Sequence, residues 1–290
     1  TGLAAIAVGA YPVWVLLSPH VDVPFHRVAS RVAMLAGLIA FLWLIRHLNV
    51  NDRASLGYGQ PRREWLAEAG RALLLGVVTM LPVALAMLAL GLRDWRPGLP
   101  LDAVTLLKLA ADGLGTGIAV ALIEETFLRG AMHSAVRRDS GPRVAIVLTA
   151  ALYAALHFVA RHRIPAEQVG PGSGLELLGG MLRLFAAPGA IADAFLSLFA
   201  VGVLLGIVRE LTGSIAACVG LHAGWVWVIS VVRESSDADR SHPAAFLLSR
   251  FDGVVGWLVL GWTLVLGVGL FRFYQRRQQA QRRDGVVGLQ

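Results

Sequence analysis

In the segment ALIEETFLRGAMHSAVRR, residues 121–138, two glutamates stand side by side and an arginine follows one helical turn later. Glu125 and Arg129 are spaced i, i+4, so on a helix they share a face and can pair as a buried ion pair. His133 continues that face one turn on. Glu124 lies about 100° round the helix, and its neighbours at i+3 and i+4, Phe127 and Leu128, are apolar. It must be met by another helix or by water. A carboxylate of that kind is suited to act as a general base, whereas Glu125 is suited to locking the helix.

Ionisable side chains within apolar helices cost roughly 2.5–3.5 kcal/mol each in insertion experiments, so the few others need a reason. Tyr153 and His157 are spaced i, i+4 in YAALH. His222 lies in GLHAGWVW between Gly220 and Gly224, which permit close helix approach. Asp193 stands near the start of a further apolar block and suits an N-terminal helix dipole partner.

Such groups must be positioned by helices. Of the 290 residues, 56% are hydrophobic and 16% charged, against about a quarter charged in soluble domains. Mean hydropathy is +0.65. The apolar residues fall into blocks near the ~17–25 residues that a helix needs to cross a bilayer. The expected fold is an all-α, polytopic transmembrane helical bundle of about eight spans: 1–18, 28–47, 66–92, 106–136, 144–160, 190–208, 214–232 and 254–271. It is one integral membrane domain over 1–290. It divides into N-terminal spans (1–103), a motif-bearing core (104–233), a last span (254–271) and a basic tail (272–290). The stretch LELLGGMLRLFAA is too short to span and is expected to lie in the interface or to re-enter. DSGPR, residues 139–143, should turn spans four and five into an antiparallel hairpin. Glu124 is 16 residues before Ser140 and His157 is 17 after it, so both fall ~25 Å from the turn.

The formal charge of +7 does not indicate nucleic acid, because the arginines lie between apolar blocks and in the tail. Such arginines set topology and touch anionic lipid. The tail arginines place both termini in the cytoplasm. Lys108 is the single lysine, which suggests a GC-rich bacterial genome and hence a bacterial inner membrane. Cys218 is the single cysteine, so no internal disulfide or cysteine metal cluster can form. No cleavable signal and no C-terminal prenylation box are expected.

Together these residues resemble the CAAX prenyl endopeptidase and bacteriocin-processing (CPBP) family of intramembrane proteases. Its E-E-x-x-x-R motif corresponds to EETFLR, with Glu124, Glu125 and Arg129. Its aromatic-x-x-x-His motif corresponds to YAALH, with Tyr153 in place of the usual Phe and His157. Its H-x-x-x-N motif corresponds to HAGWV, with His222, but Val226 stands where many members have Asn. The similarity extends from about residue 105 to 230. It implies peptide-bond hydrolysis by an activated water: Glu124 as base, His157 orienting the water or moving the proton, and His222 stabilising the oxyanion. Glu125, Arg129 and Tyr153 would support them. With Val226 present, His222 acts alone or with another donor. The substrate would be a membrane-associated or C-terminally tagged peptide or protein. The family is also described as metalloprotease. Zinc on Glu124, His157 and His222 is the alternative to the favoured cofactor-free mechanism, and no H-E-x-x-H is present. Two other readings stay open: a non-catalytic scaffold of the same fold, and a proton-coupled transporter with the buried carboxylates and histidines as a relay.

Overall fold

A backbone in lipid must satisfy its own N–H and C=O groups, and the apolar blocks do so as helices. The computed structural model describes residues 2–21, 24–100, 102–158, 164–270 and 272. It contains α1 (Gly2–Leu17), α2 (Phe25–His47), α3 (Arg62–Ala89), α4 (Ala103–Glu125), α5 (His133–Leu156), α6 (Ser173–Phe185), α7 (Ala192–Thr212), α8 (Ala216–Ser235) and α9 (Trp257–Leu270). A π-helical turn, Thr126–Met132, joins α4 to α5. Two three-residue strands, β1 (Arg93–Trp95) and β2 (Ser236–Ala238), pair antiparallel.

Among the described residues, five helical stretches are long and apolar enough to cross a membrane. One is the 54-residue run Ala103–Leu156. It is broken at Gly141, whose φ of 83° lies in the left-handed region that suits glycine, and Pro142 follows. The DSGPR turn expected between spans four and five is therefore present. The expected first and eighth spans appear as shorter apolar helices, Val8–Leu17 and Trp257–Leu270. The basic tail beyond residue 272 lies outside the described residues. Large apolar side chains face outward on many helices, among them Leu35, Leu74, Val78, Leu107 and Ile123. Exposed apolar faces of this extent suit lipid and not water. The chain is an integral membrane protein built as an all-α bundle.

α8 is the central helix. It packs most extensively on α3 and then on α4, while α5 packs chiefly on α7. Glycines make these approaches close. A Cβ on Gly224 would stand 2.5 Å from the Leu73 carbonyl oxygen, and one on Gly117 of α4 would stand 2.5 Å from that of Ala223. The expectation that Gly220 and Gly224 admit a neighbouring backbone matches this packing. The turn of the expected hairpin lies within α5, at Gly141, and its arms turn their main faces to different partners, α4 to α8 and α5 to α7. The stretch LELLGGMLRLFAA forms the 13-residue α6, which packs on α1.

Outside the apolar helices, Arg93 is buried and ties β1 to the segments flanking α9. Its Nε donates to Ser236 Oγ at 2.9 Å, Nη1 to the Gly253 carbonyl at 2.6 Å, and Nη2 to the Ser236 carbonyl. Burial pulls its guanidinium below the usual arginine value. The N-terminus of α4 is capped by Asp102, whose carboxylate accepts from the Thr105 N–H at 2.9 Å.

Candidate active site

The paired glutamates stand at the end of α4, where the helix widens into the π turn. Such turns occur often at functional sites. This one is held from several sides. The Thr126 hydroxyl donates to the Leu122 carbonyl at 2.6 Å, so the Tyr58 hydroxyl, 2.6 Å away, donates to Thr126. Arg209 Nε donates to the Arg129 carbonyl at 3.0 Å. Gly130 lies against the backbone of Leu56, where a Cβ would come within 2.7 Å of the carbonyl oxygen. The loop carrying Leu56 and Tyr58 thus supports the site from below. Its turn residues are visible in the sequence, but nothing local there signals its docking.

Glu125 and Arg129 are both fully buried and pair at 3.1 Å, as the i, i+4 spacing requires. Arg129 Nη2 also donates to the Gly202 carbonyl at 3.2 Å. The same Glu125 Oε1 lies 2.8 Å from His222 Nδ1. An ionised carboxylate only accepts, so Nδ1 carries the hydrogen and Nε2 is the ring nitrogen left for other partners. Nε2 is an acceptor when the ring is neutral and a donor when it is protonated. The Glu125–His222 bond crosses from α4 to α8 and has no signal in local sequence spacing.

Glu124 is two-thirds buried, and its Oε2 is buried without a hydrogen-bond partner. That oxygen stands 4.0 Å from His222 Nε2. Among the described residues, His222 is the imidazole within that distance of Glu124. His157, at the C-terminal end of α5, joins the group through Tyr153. Its Nδ1 donates to the Tyr153 carbonyl at 2.8 Å. The Tyr153 ring meets both imidazoles edge-on, with centroids 4.6 Å from His157 and 5.8 Å from His222. The Arg129 guanidinium lies over its face at 4.7 Å. Tyr153 is therefore the hub that joins α5 to α4 and α8.

Tyr153, His157 and His222 line a cavity of about 290 Å3. Its wall also includes Val120, one turn before Glu124, together with Trp225 and Val226. It extends along α8 to Arg233, 11 residues beyond His222, or ~16 Å. Its lining is mainly apolar, as expected for a pocket that takes an apolar chain and orients it with a few polar groups.

Two residues singled out by sequence fall elsewhere. His133 Nε2 lies 2.7 Å from Glu210, which also pairs with Arg137 at 2.8 Å, while His133 Nδ1 is buried without a partner. Asp193 occupies the first turn of α7, where a carboxylate meets the helix dipole. Among the described residues, no three His, Cys, Asp or Glu side chains gather closely enough to hold a metal ion.

A family model described as type II CAAX prenyl endopeptidase Rce1-like matches residues 106–228. No curated protein and no solved structure matches the chain. The matched segment runs from α4 into α8 and contains Glu124, Glu125, Arg129, Tyr153, His157 and His222. Residues 106–228 carry a domain of the type II CAAX prenyl endopeptidase Rce1-like family.

Proposed function

We propose that this protein is an intramembrane endopeptidase in which Glu124 activates the attacking water. One observation carries the reading: the unpartnered, buried Oε2 of Glu124 lies 4.0 Å from His222 Nε2 beside an apolar cavity. A gap of that size accommodates one heavy atom hydrogen-bonded to both groups. Glu125 is already engaged by Arg129 and His222, whereas Oε2 of Glu124 has no hydrogen-bond partner.

Glu124 takes a proton from water as the oxygen attacks the peptide carbonyl carbon. The carbonyl oxygen gains negative charge and accepts from Nε2–H of protonated His222. The Glu125 carboxylate on Nδ1 is the counter-charge that keeps this ring oriented. The C–N bond then breaks, and the proton held by Glu124 passes to the leaving amine. His157, on the same cavity wall, orients the water or relays that proton. The apolar lining favours membrane-associated or C-terminally tagged peptide substrates. The arginine distribution supports a bacterial inner membrane location with both termini in the cytoplasm.

The test uses the purified protein in liposomes with a quenched fluorescent peptide anchored in the same bilayer. Glu124→Gln is expected to lower kcat by about 10²–10⁴-fold, the usual contribution of a general base, with an unchanged gel-filtration profile. A chelator is expected to leave the parental rate unchanged. Cleavage unaffected by Glu124→Gln, or no cleavage by the parent across a peptide library, refutes the proposal. Chelator inhibition reversed by zinc refutes its cofactor-free step.

A further inference from the structure

The geometry points to the Tyr153 hydroxyl as a second hydrogen-bond donor to the developing oxyanion. This rests on the reading that the site hydrolyses peptide bonds. An oxyanion is stabilised by donors already aimed at it in a site that excludes water. His222 can supply only one, because its Nδ1–H is committed to Glu125. One turn further along the same wall is Val226, which has no donor. Other donors around the cavity are engaged. Trp225 Nε1 donates to Thr79 Oγ1 at 3.0 Å, Trp262 Nε1 to the Thr79 carbonyl at 2.6 Å, and Thr263 Oγ1 to the Val259 carbonyl at 2.8 Å. Thr116 and Ser230 stand eight residues from Glu124 and His222 along their helices, ~12 Å away.

Tyr153 remains. It lines the cavity and is 3% exposed. Its ring is held by His157, His222 and Arg129, and its hydroxyl has no hydrogen-bond partner among the described residues. The ring contacts would be served equally well by phenylalanine. That oxygen is not one of the fully buried groups left without a partner, so it is reached from the cavity, where whatever occupies the space can supply its acceptor. A ring clamped on three sides also needs no rearrangement when that acceptor becomes an oxyanion.

Tyr153→Phe removes only the hydroxyl. It is expected to lower kcat by about 10²–10³-fold, the loss seen when one oxyanion donor is removed, with KM and thermal stability little changed. Val226→Asn added to Tyr153→Phe is expected to restore at least tenfold of the loss. The same change in the parental background should alter kcat by less, which gives a non-zero coupling in a double-mutant cycle. Fluorotyrosine at position 153, a stronger donor of the same shape, is expected to change kcat while phenylalanine abolishes the effect. Parental kcat in Tyr153→Phe, with Glu124→Gln inactive, overturns the role of the hydroxyl and leaves the peptidase reading intact. A parent that cleaves no peptide overturns both.

Discussion

Arg129→Met would test how the buried charges are balanced. The substitution keeps the length and apolar stem of the side chain and removes every donor. It leaves the fully buried Glu125 carboxylate with His222 as its one partner and strips the Gly202 carbonyl of its donor. Removing one member of a buried ion pair costs about 3–5 kcal/mol, and the cation over the Tyr153 ring contributes roughly a further 0.5–2 kcal/mol. Membership of a fold that is stable by only about 5–15 kcal/mol makes this a large loss. At about 2 °C per kcal/mol for a chain of this size, the midpoint should fall by roughly 10 °C. Arg129→Met combined with Glu125→Leu removes the stranded charge as well. What replaces the stranded charge is the unpaired His222 Nδ1 donor, at about 1–3 kcal/mol, while the lost Gly202 and Tyr153 contacts are common to both variants. The double variant should therefore be more stable than the single one. The assay is thermal loss of the monodisperse gel-filtration peak in detergent. A single variant within a degree or two of the parent, or a double variant as unstable as the single, would refute the reasoning.

Other perturbations probe the scaffold. Gly224→Val places a Cβ within 2.5 Å of the Leu73 carbonyl and 2.9 Å of the Val77 nitrogen, so α8 must move from α3. Overpacking of this kind costs about 1–3 kcal/mol or more and should reduce folded yield, whereas Gly9→Ala, with open space around it, should not. Arg93→Lys cannot reach its three acceptors at once. Leaving buried carbonyls of Ser236 and Gly253 without donors should cost about 1–3 kcal/mol and quicken proteolysis between β2 and α9.

Much of the architecture is legible in the sequence because lipid leaves few choices. Apolar blocks of spanning length must be helices, and Gly141 with Pro142 must break the longest of them. The division between the two glutamates is equally local. An i, i+4 arginine reaches Glu125 whatever the rest of the chain does, and Glu124 has only apolar neighbours on its own helix. The π turn is not legible, because it depends on the Leu56–Tyr58 loop and on Arg209, which arrive from two separate segments.

What the sequence by itself determined is the set of chemical groups, their helices and their approximate depth, since each follows from spacing of a few residues and from hydropathy. Tertiary structure alone decided which groups meet. Spacing along the chain put Glu124 and His157 at equal depth. Glycine-mediated packing of α4 on α8 sets His222 beside Glu124 and turns its other nitrogen to Glu125. His157 comes in through Tyr153, because α5 packs chiefly on α7 and the Tyr153 ring bridges it to His222 on α8. Depth along a helix is a property of one chain segment. Azimuth and partner are properties of a packed bundle, because they depend on which small residues let two backbones approach.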